Sequence, residues 1–138
     1  MHRRIALRAS GSLLLLSALL FSSTLSIASD CCDPESPFRE GEGWADKPAT
    51  CEDIAHWADR APKTDARISL SIKGKLTEVH WTGAIAYLVM CDPDVMQVVC
   101  VTYETNDMRA GEEVSFGGGF FRRGDKQIFM DPCLAFRE

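Results

Sequence analysis

The chain has 138 residues, with 20 aspartates and glutamates against 15 lysines and arginines and a formal net charge of −5. That length suits one domain with a modest core, and the acidic balance disfavours general binding to phosphate backbones or anionic membranes. Six cysteines, all at or beyond residue 31, point to a disulfide framework and an oxidising compartment.

The N-terminus carries a three-part pattern. Arg3, Arg4 and Arg8 give a positive n-region, the leucines at 13–16 and the stretch 18–21 a short apolar h-region, and Ser26-Ile27-Ala28 the small residues that a signal peptidase reads. Ser10, Gly11 and Ser12 on one side and Ser22, Ser23 and Thr24 on the other keep the apolar stretch below the about 20 residues of a membrane span. Residues 1–28 are therefore expected to be a cleaved secretory signal. Asp30 directly before Cys31 argues against a lipoprotein signal. The signal removes three arginines, so the mature domain holds 12 basic and 20 acidic side chains, a net charge of −8. No second hydrophobic run follows, so no membrane contact is expected after cleavage. The protein is expected to be exported, periplasmic or extracellular.

Residues 29–66 form the first part of the mature chain. Pro34, Pro37, Gly41, Gly43 and Pro48 break any periodicity up to residue 49, which predicts an irregular arm pinned by cysteines and by Phe38 and Trp44. Thr50 is a candidate N-cap, and Asp53 can reach back to the free amides in a variant of the capping box. Cys51, Ile54, Ala55 and Ala58 then recur at helical spacing, and Pro62 ends the short helix. Cys51 shares the apolar face and is expected to bond inward.

From residue 67 to 138 the period changes from helical to alternating. Ile68, Leu70 and Ile72 begin a long strand that continues past Gly74 to Trp81. The apolar runs 84–91 and 98–103 flank Asp92-Pro93-Asp94 and read as an antiparallel hairpin. The segments 113–121 and 127–136 form a last pair of strands. Five strands in so short a stretch, all with short connections, predict a small barrel. Gly117, Gly118 and Gly119 lie within a strand, where glycine permits the sharp coiling that closure needs. The fold class expected is mainly β: a small five-stranded OB-like barrel with a short N-terminal α-helix, stapled by disulfides.

This order of features resembles an OB-fold of the type found in anticodon-binding domains. The likeness covers residues 68–136 and rests on the long first strand bent at Gly74, the hairpin across Asp92-Pro93-Asp94, the apolar return Val98-Val99-Cys100-Val101, and the phrase Met108-Arg109-Ala110-Gly111-Glu112-Glu113-Val114-Ser115-Phe116-Gly117. The resemblance implies a ligand face on the second and third barrel strands, between the first and last hairpin loops. On this chain that surface would include Trp81, Tyr87, Tyr103, Arg122, Arg123 and Lys126, aromatic platforms beside a basic loop. A cysteine near the mature N-terminus before such a barrel is also similar to the tissue inhibitors of metalloproteinases. Ser29-Asp30 precede Cys31, however, and the single-residue spacing of that family's first cysteines is missing, so its function does not carry over.

Cys31, Cys32, Cys51, Cys91, Cys100 and Cys133 admit 15 pairings. Cys91 and Cys100 flank the hairpin turn and are the first expected pair; Cys31 and Cys32 would then tie the arm to Cys51 and Cys133. The sharper alternative is a metal or thiol-redox site at Cys31-Cys32, with Asp33, His56 or His80 completing a shell. Adjacent cysteines lack the two-residue gap of most zinc and thioredoxin-like sites. No nucleophile elbow, metalloenzyme string or phosphate loop points to catalysis. No cofactor is implied. The expected function is an exported binding module whose partner is a protein, a peptide or a glycan, with a purely structural accessory role as the remaining alternative.

Overall fold

The computed structural model describes residues 33–138. The expected signal sequence at 1–28, and Cys31 and Cys32, lie outside the described residues.

Five strands close a barrel. They are β2 (Ile68–Trp81), β3 (Ala86–Met90), β4 (Gln97–Thr102), β5 (Glu113–Arg122) and β6 (Gln127–Arg137), preceded by a short edge strand β1 (Phe38–Glu40) and one helix, α1 (Ile54–Asp59). Around the barrel the order is β2-β3-β4-β6-β5, and β5 returns to β2. All neighbours are antiparallel except β4 and β6. This Greek-key closure is the OB-like barrel that the strand pattern implied. Its length lets β2 serve both sides: residues 69–75 pair with β5, and residues 76–81 pair with β3.

The alternation in sequence becomes inside and outside. Leu70, Ile72, Leu76, Leu88, Met90, Val98, Phe116, Ile128 and Met130 fill the interior, each almost fully buried. Ser69 and Ser71 point the other way but are buried too, because the arm crosses them: the Ala45 N–H donates to Ser71 Oγ (2.9 Å), and Ser69 Oγ donates to the Gly41 carbonyl.

The arm is less irregular than the sequence suggests. Phe38–Glu40 pair with Ile68–Leu70, and Ala49 bridges Ile72 in parallel. This is the stretch of the β2 edge that β3 leaves uncovered, so the arm satisfies backbone groups that would otherwise form an open edge. A three-residue strand is too short to show a period. Phe38 locks it, fully buried and edge-on to Phe120 with ring centroids 5.1 Å apart.

The chain turns at Thr50, whose carbonyl accepts from the Ile54 N–H (2.9 Å), and regular helix runs from Ile54. Asp53 reaches back as expected, its Oδ1 accepting from the Thr50 N–H at 2.7 Å. Ile54 and Ala58 face the core.

The disulfides are Cys51–Cys91 and Cys100–Cys133, which corrects the expected Cys91–Cys100 pair. The hairpin register decides this. Leu88 sits opposite Cys100, whereas Cys91 lies beyond the last pair, Met90 with Val98. The two cysteines are thus three positions out of register, about 10 Å, outside disulfide reach. Cys51 and Cys133 are consequently not available to Cys31 and Cys32. The inward expectation for Cys51 holds: its sulfur lies where Gly74 leaves room, 2.9 Å from the place a Cβ at residue 74 would take.

Candidate functional site

The residues expected to bind a ligand fall at opposite ends of β4. Trp81 pairs with Ala86, and Ala86 with Thr102, so Trp81 and Tyr103 stand at one rim, with Tyr103 76% exposed. The turn holding Arg123 and Lys126 lies at the other end, where Gln97 pairs with Gln127 and its N–H donates to the Lys126 carbonyl (2.9 Å). Six strand residues, about 20 Å, separate the two groups. Tyr87 lies between them, half-buried, opposite His80 and Val101. A row of apolar side chains on the same outer face runs across four strands, Val89, Val99, Phe129 and Phe121.

The basic residues are partly engaged. Arg122 donates to Asp59 Oδ1 (2.8 Å) and to the carbonyls of Gly124 (3.3 Å) and Asp125 (3.1 Å), bracing the turn against α1. The Arg123 guanidinium lies 5.7 Å from the Phe129 ring centroid, a cation–π contact. Lys126 is exposed.

The residues named for a metal shell are dispersed. His56 packs on Trp57 and His80 on Tyr87, while Asp33 Oδ1 accepts from the Glu35 N–H. Among the described residues no three potential ligands gather to hold a metal, and Cys51, Cys91, Cys100 and Cys133 are all in bridges.

A second surface is more developed. On the outer face of β5, positions 117 and 119 carry no side chain, and two groups occupy the space. A Cβ at Gly117 would lie 2.5–2.7 Å from the six-membered ring of Trp44, and one at Gly119 would lie 3.6 Å from Arg67 Nη2 and 2.5 Å from the Asp131 carbonyl oxygen. The glycines thus let an indole and a backbone bulge lie directly on the sheet. The bulge is at Asp131 and Pro132, joined by a cis peptide bond, where the β5–β6 register shifts. Beside it, Leu134 and Phe136 alternate outward from Cys133 and Ala135, and the Phe136 ring stands edge-to-face to Trp44 at 5.3 Å.

These groups frame a groove of about 390 Å³ lined by Trp44, Leu134, Pro132, Arg67, Glu42 and Gly117–119. Trp44 keeps 45% of its surface open. Arg67 and Glu42 form an ion pair of 3.2 Å. A further recess of about 460 Å³ shares Arg67 and Gly119 and extends to Pro62, Thr64 and Phe120. The larger depression beside the Cys51–Cys91 bridge, about 770 Å³, has no aromatic wall and mixes Lys73 and Lys75 with Glu52, Asp92, Glu113 and Glu138.

The sequence marks Trp44 only as an anchor of the arm and gives no prominence to Arg67, Glu42 or Leu134. The signals were present: a glycine run inside a strand, and the outward phase of Leu134 and Phe136 once Cys133 points in. What was missing is the path of the arm across the strand, a long-range contact with no local trace. No protein-family model matches the chain and no curated protein matches its sequence, so the chemistry of the groove itself is what bears on function.

Proposed function

We propose that the protein is an exported, non-catalytic binding module whose ligand lies in the glycine-floored groove beside Trp44. The observation that carries this is the exposed indole held against Gly117, with Leu134 and Phe136 exposed beside it. A large aromatic surface costs hydrophobic free energy when left in water, and a concave apolar site with a few convergent polar groups is what a ligand site requires. Export is supported by the N-terminal pattern together with two bridges, which persist in oxidising compartments.

The likeness to anticodon-binding OB-folds favours instead the outer face of β3 and β4, with Tyr87 on it, Tyr103 at one end and Arg123 in the β5–β6 turn at the other. That face is the second reading, supported by the apolar row and by the Arg123–Phe129 contact. A net charge of −7 over residues 33–138, from 12 basic and 19 acidic side chains, counts against nucleic acid on either surface. An NMR screen of the mature, ¹⁵N-labelled protein against a fragment library separates the readings. The groove predicts shifts at the Trp44 indole N–H and the amides of Gly117–119. Shifts confined to Tyr87, Tyr103 and Arg123 refute the groove, and a screen without hits favours a purely structural role.

A further inference from the structure

We infer that the groove takes a neutral carbohydrate chain, one pyranose ring lying between Trp44 and the Arg67–Glu42 pair. This rests on the groove being the binding site.

Charge is the first argument. The charged side chains that line the groove are Arg67 and Glu42, and they neutralise each other at 3.2 Å. A paired guanidinium and carboxylate still offers several N–H donors and free carboxylate lone pairs. Such a pair suits hydroxyl groups, which donate and accept, whereas an ionic ligand must compete with the partner already present.

Backbone geometry is the second. Gly117 and Gly118 are paired to β2 on one side and to β6 on the other. An extended peptide that binds by adding a strand needs an open edge, and the groove floor has none. Recognition there depends on side chains and on shape.

Spacing is the third. Trp44 lies over Gly117 and Arg67 beside Gly119, two residues along one face of a strand, hence about 7 Å apart. A pyranose has an apolar face of C–H bonds and a rim of hydroxyls. Its C–H face can rest on the indole, whose π surface is negative, while hydroxyls at the far side of the ring reach the ion pair. The indole N–H has no acceptor among the described residues and is a further donor. The recess beyond Arg67 and Gly119, lined by Thr64 and Asp131, gives the chain room to continue.

The test is calorimetry and tryptophan fluorescence on the mature full chain with cellohexaose, chitohexaose and maltohexaose as neutral probes. A hexamer of galacturonate and a proline-rich peptide serve as comparators. At least one neutral probe is expected to bind, with affinity falling about tenfold or more in Trp44→Ala and in Glu42→Gln, and by less than about twofold in Tyr103→Ala. Circular dichroism establishes that each variant is folded. Should Trp44→Ala not fold, the indole N–H resonance of the unmutated protein must shift with the neutral probe. Failure of all three neutral probes to bind at millimolar concentration overturns the carbohydrate. So does Trp44-dependent binding of the peptide or galacturonate alone, although the groove then stands. Neutral-probe binding that depends on Tyr103 and not on Trp44 overturns the groove itself.

Discussion

The two bridges close loops of similar length, with sequence separations of 40 for Cys51–Cys91 and 33 for Cys100–Cys133. Chain entropy alone gives each about 4 kcal/mol, with a difference of only about 0.2 kcal/mol in favour of the longer loop. Burial reverses that order. Cys100 and Cys133 point inward among Leu88, Met130 and Phe116, at 0% and 3% exposure, whereas of the other bridge only Cys91 is buried, at 5%, and Cys51 is half-buried. Replacing the inner pair by alanine therefore also removes two core sulfurs and leaves a cavity, adding to the loss. The double variant Cys100→Ala/Cys133→Ala should thus lose more than about 4 kcal/mol, and Cys51→Ala/Cys91→Ala about 4 kcal/mol or less. With a urea m-value of about 1.5 kcal/mol/M, the smaller loss corresponds to a midpoint lower by about 2–3 M. The assay is urea unfolding followed by tryptophan emission under non-reducing conditions, with peptide mapping of the unmutated protein by mass spectrometry. A Cys91–Cys100 peptide in the map, or equal midpoints for all three proteins, would refute the reasoning.

Phe38→Ala should cost about 3–5 kcal/mol, since Phe38 is fully buried against Phe120 and holds β1 to the barrel; thermal unfolding checks this. Gly117→Val should leave the barrel's circular dichroism intact but displace the Trp44 ring, which occupies the space of the new side chain. A red shift in tryptophan emission is expected, and unchanged emission contradicts the placement. The Glu52 carboxyl is held below its ordinary value, chiefly by a hydrogen bond from the Thr50 side chain and then by its own backbone N–H. Its folded pKa lies below its unfolded one, so the associated stability is present above the unfolded pKa and fades as pH falls through the folded value. A side-chain NMR titration should show the low value in the unmutated protein and its return towards normal in Thr50→Val. Arg122→Ala breaks a partly exposed ion pair to Asp59 and should cost only about 0–1 kcal/mol, with binding at the groove unchanged by calorimetry.

Most of the fold was legible because its signals are local. The alternation of Ile68, Leu70 and Ile72, the turn at Asp92-Pro93-Asp94 and the reach of Asp53 back to Thr50 each involve near neighbours, and each holds in the structure. The bridges were not legible because a pairing depends on register. One hairpin register, Leu88 opposite Cys100, was enough to rule out the nearest candidate. Strand β1 was hidden by its length, and the groove by its origin in three separate segments: residues 42–44, Arg67 and the β5–β6 hairpin. In the sequence, Gly117–119 are glycines that permit coiling. They also make room for Trp44 and the bulge at Asp131 and Pro132, a role that no periodicity expresses.

Barrel closure and the glycine run together constrain how this protein can recognise anything. In an open sheet the cheapest route to affinity is the free edge, where backbone groups await a partner strand. Here β5 closes onto β2, and the arm covers the part of β2 that β3 leaves bare, through β1 and the Ala49 bridge. Specificity must then come from side chains raised above a flat floor. A strand bearing ordinary residues at 117 and 119 would push away the Trp44 ring and the Asp131 backbone and fill the groove. Removing both side chains costs strand stability, about 0.5–1 kcal/mol at each glycine relative to alanine. The arm offsets that cost through the hydrogen bonds from the Ala45 N–H to Ser71 and from Ser69 to the Gly41 carbonyl. Those two bonds hold residues 41–45 on the sheet, and therefore hold the indole that forms one wall of the site. Loss of either serine should loosen Trp44 before it loosens the barrel, because every barrel strand retains its own ladder, and β1 and the Ala49 bridge still anchor the arm, while the stretch between them is held by few contacts.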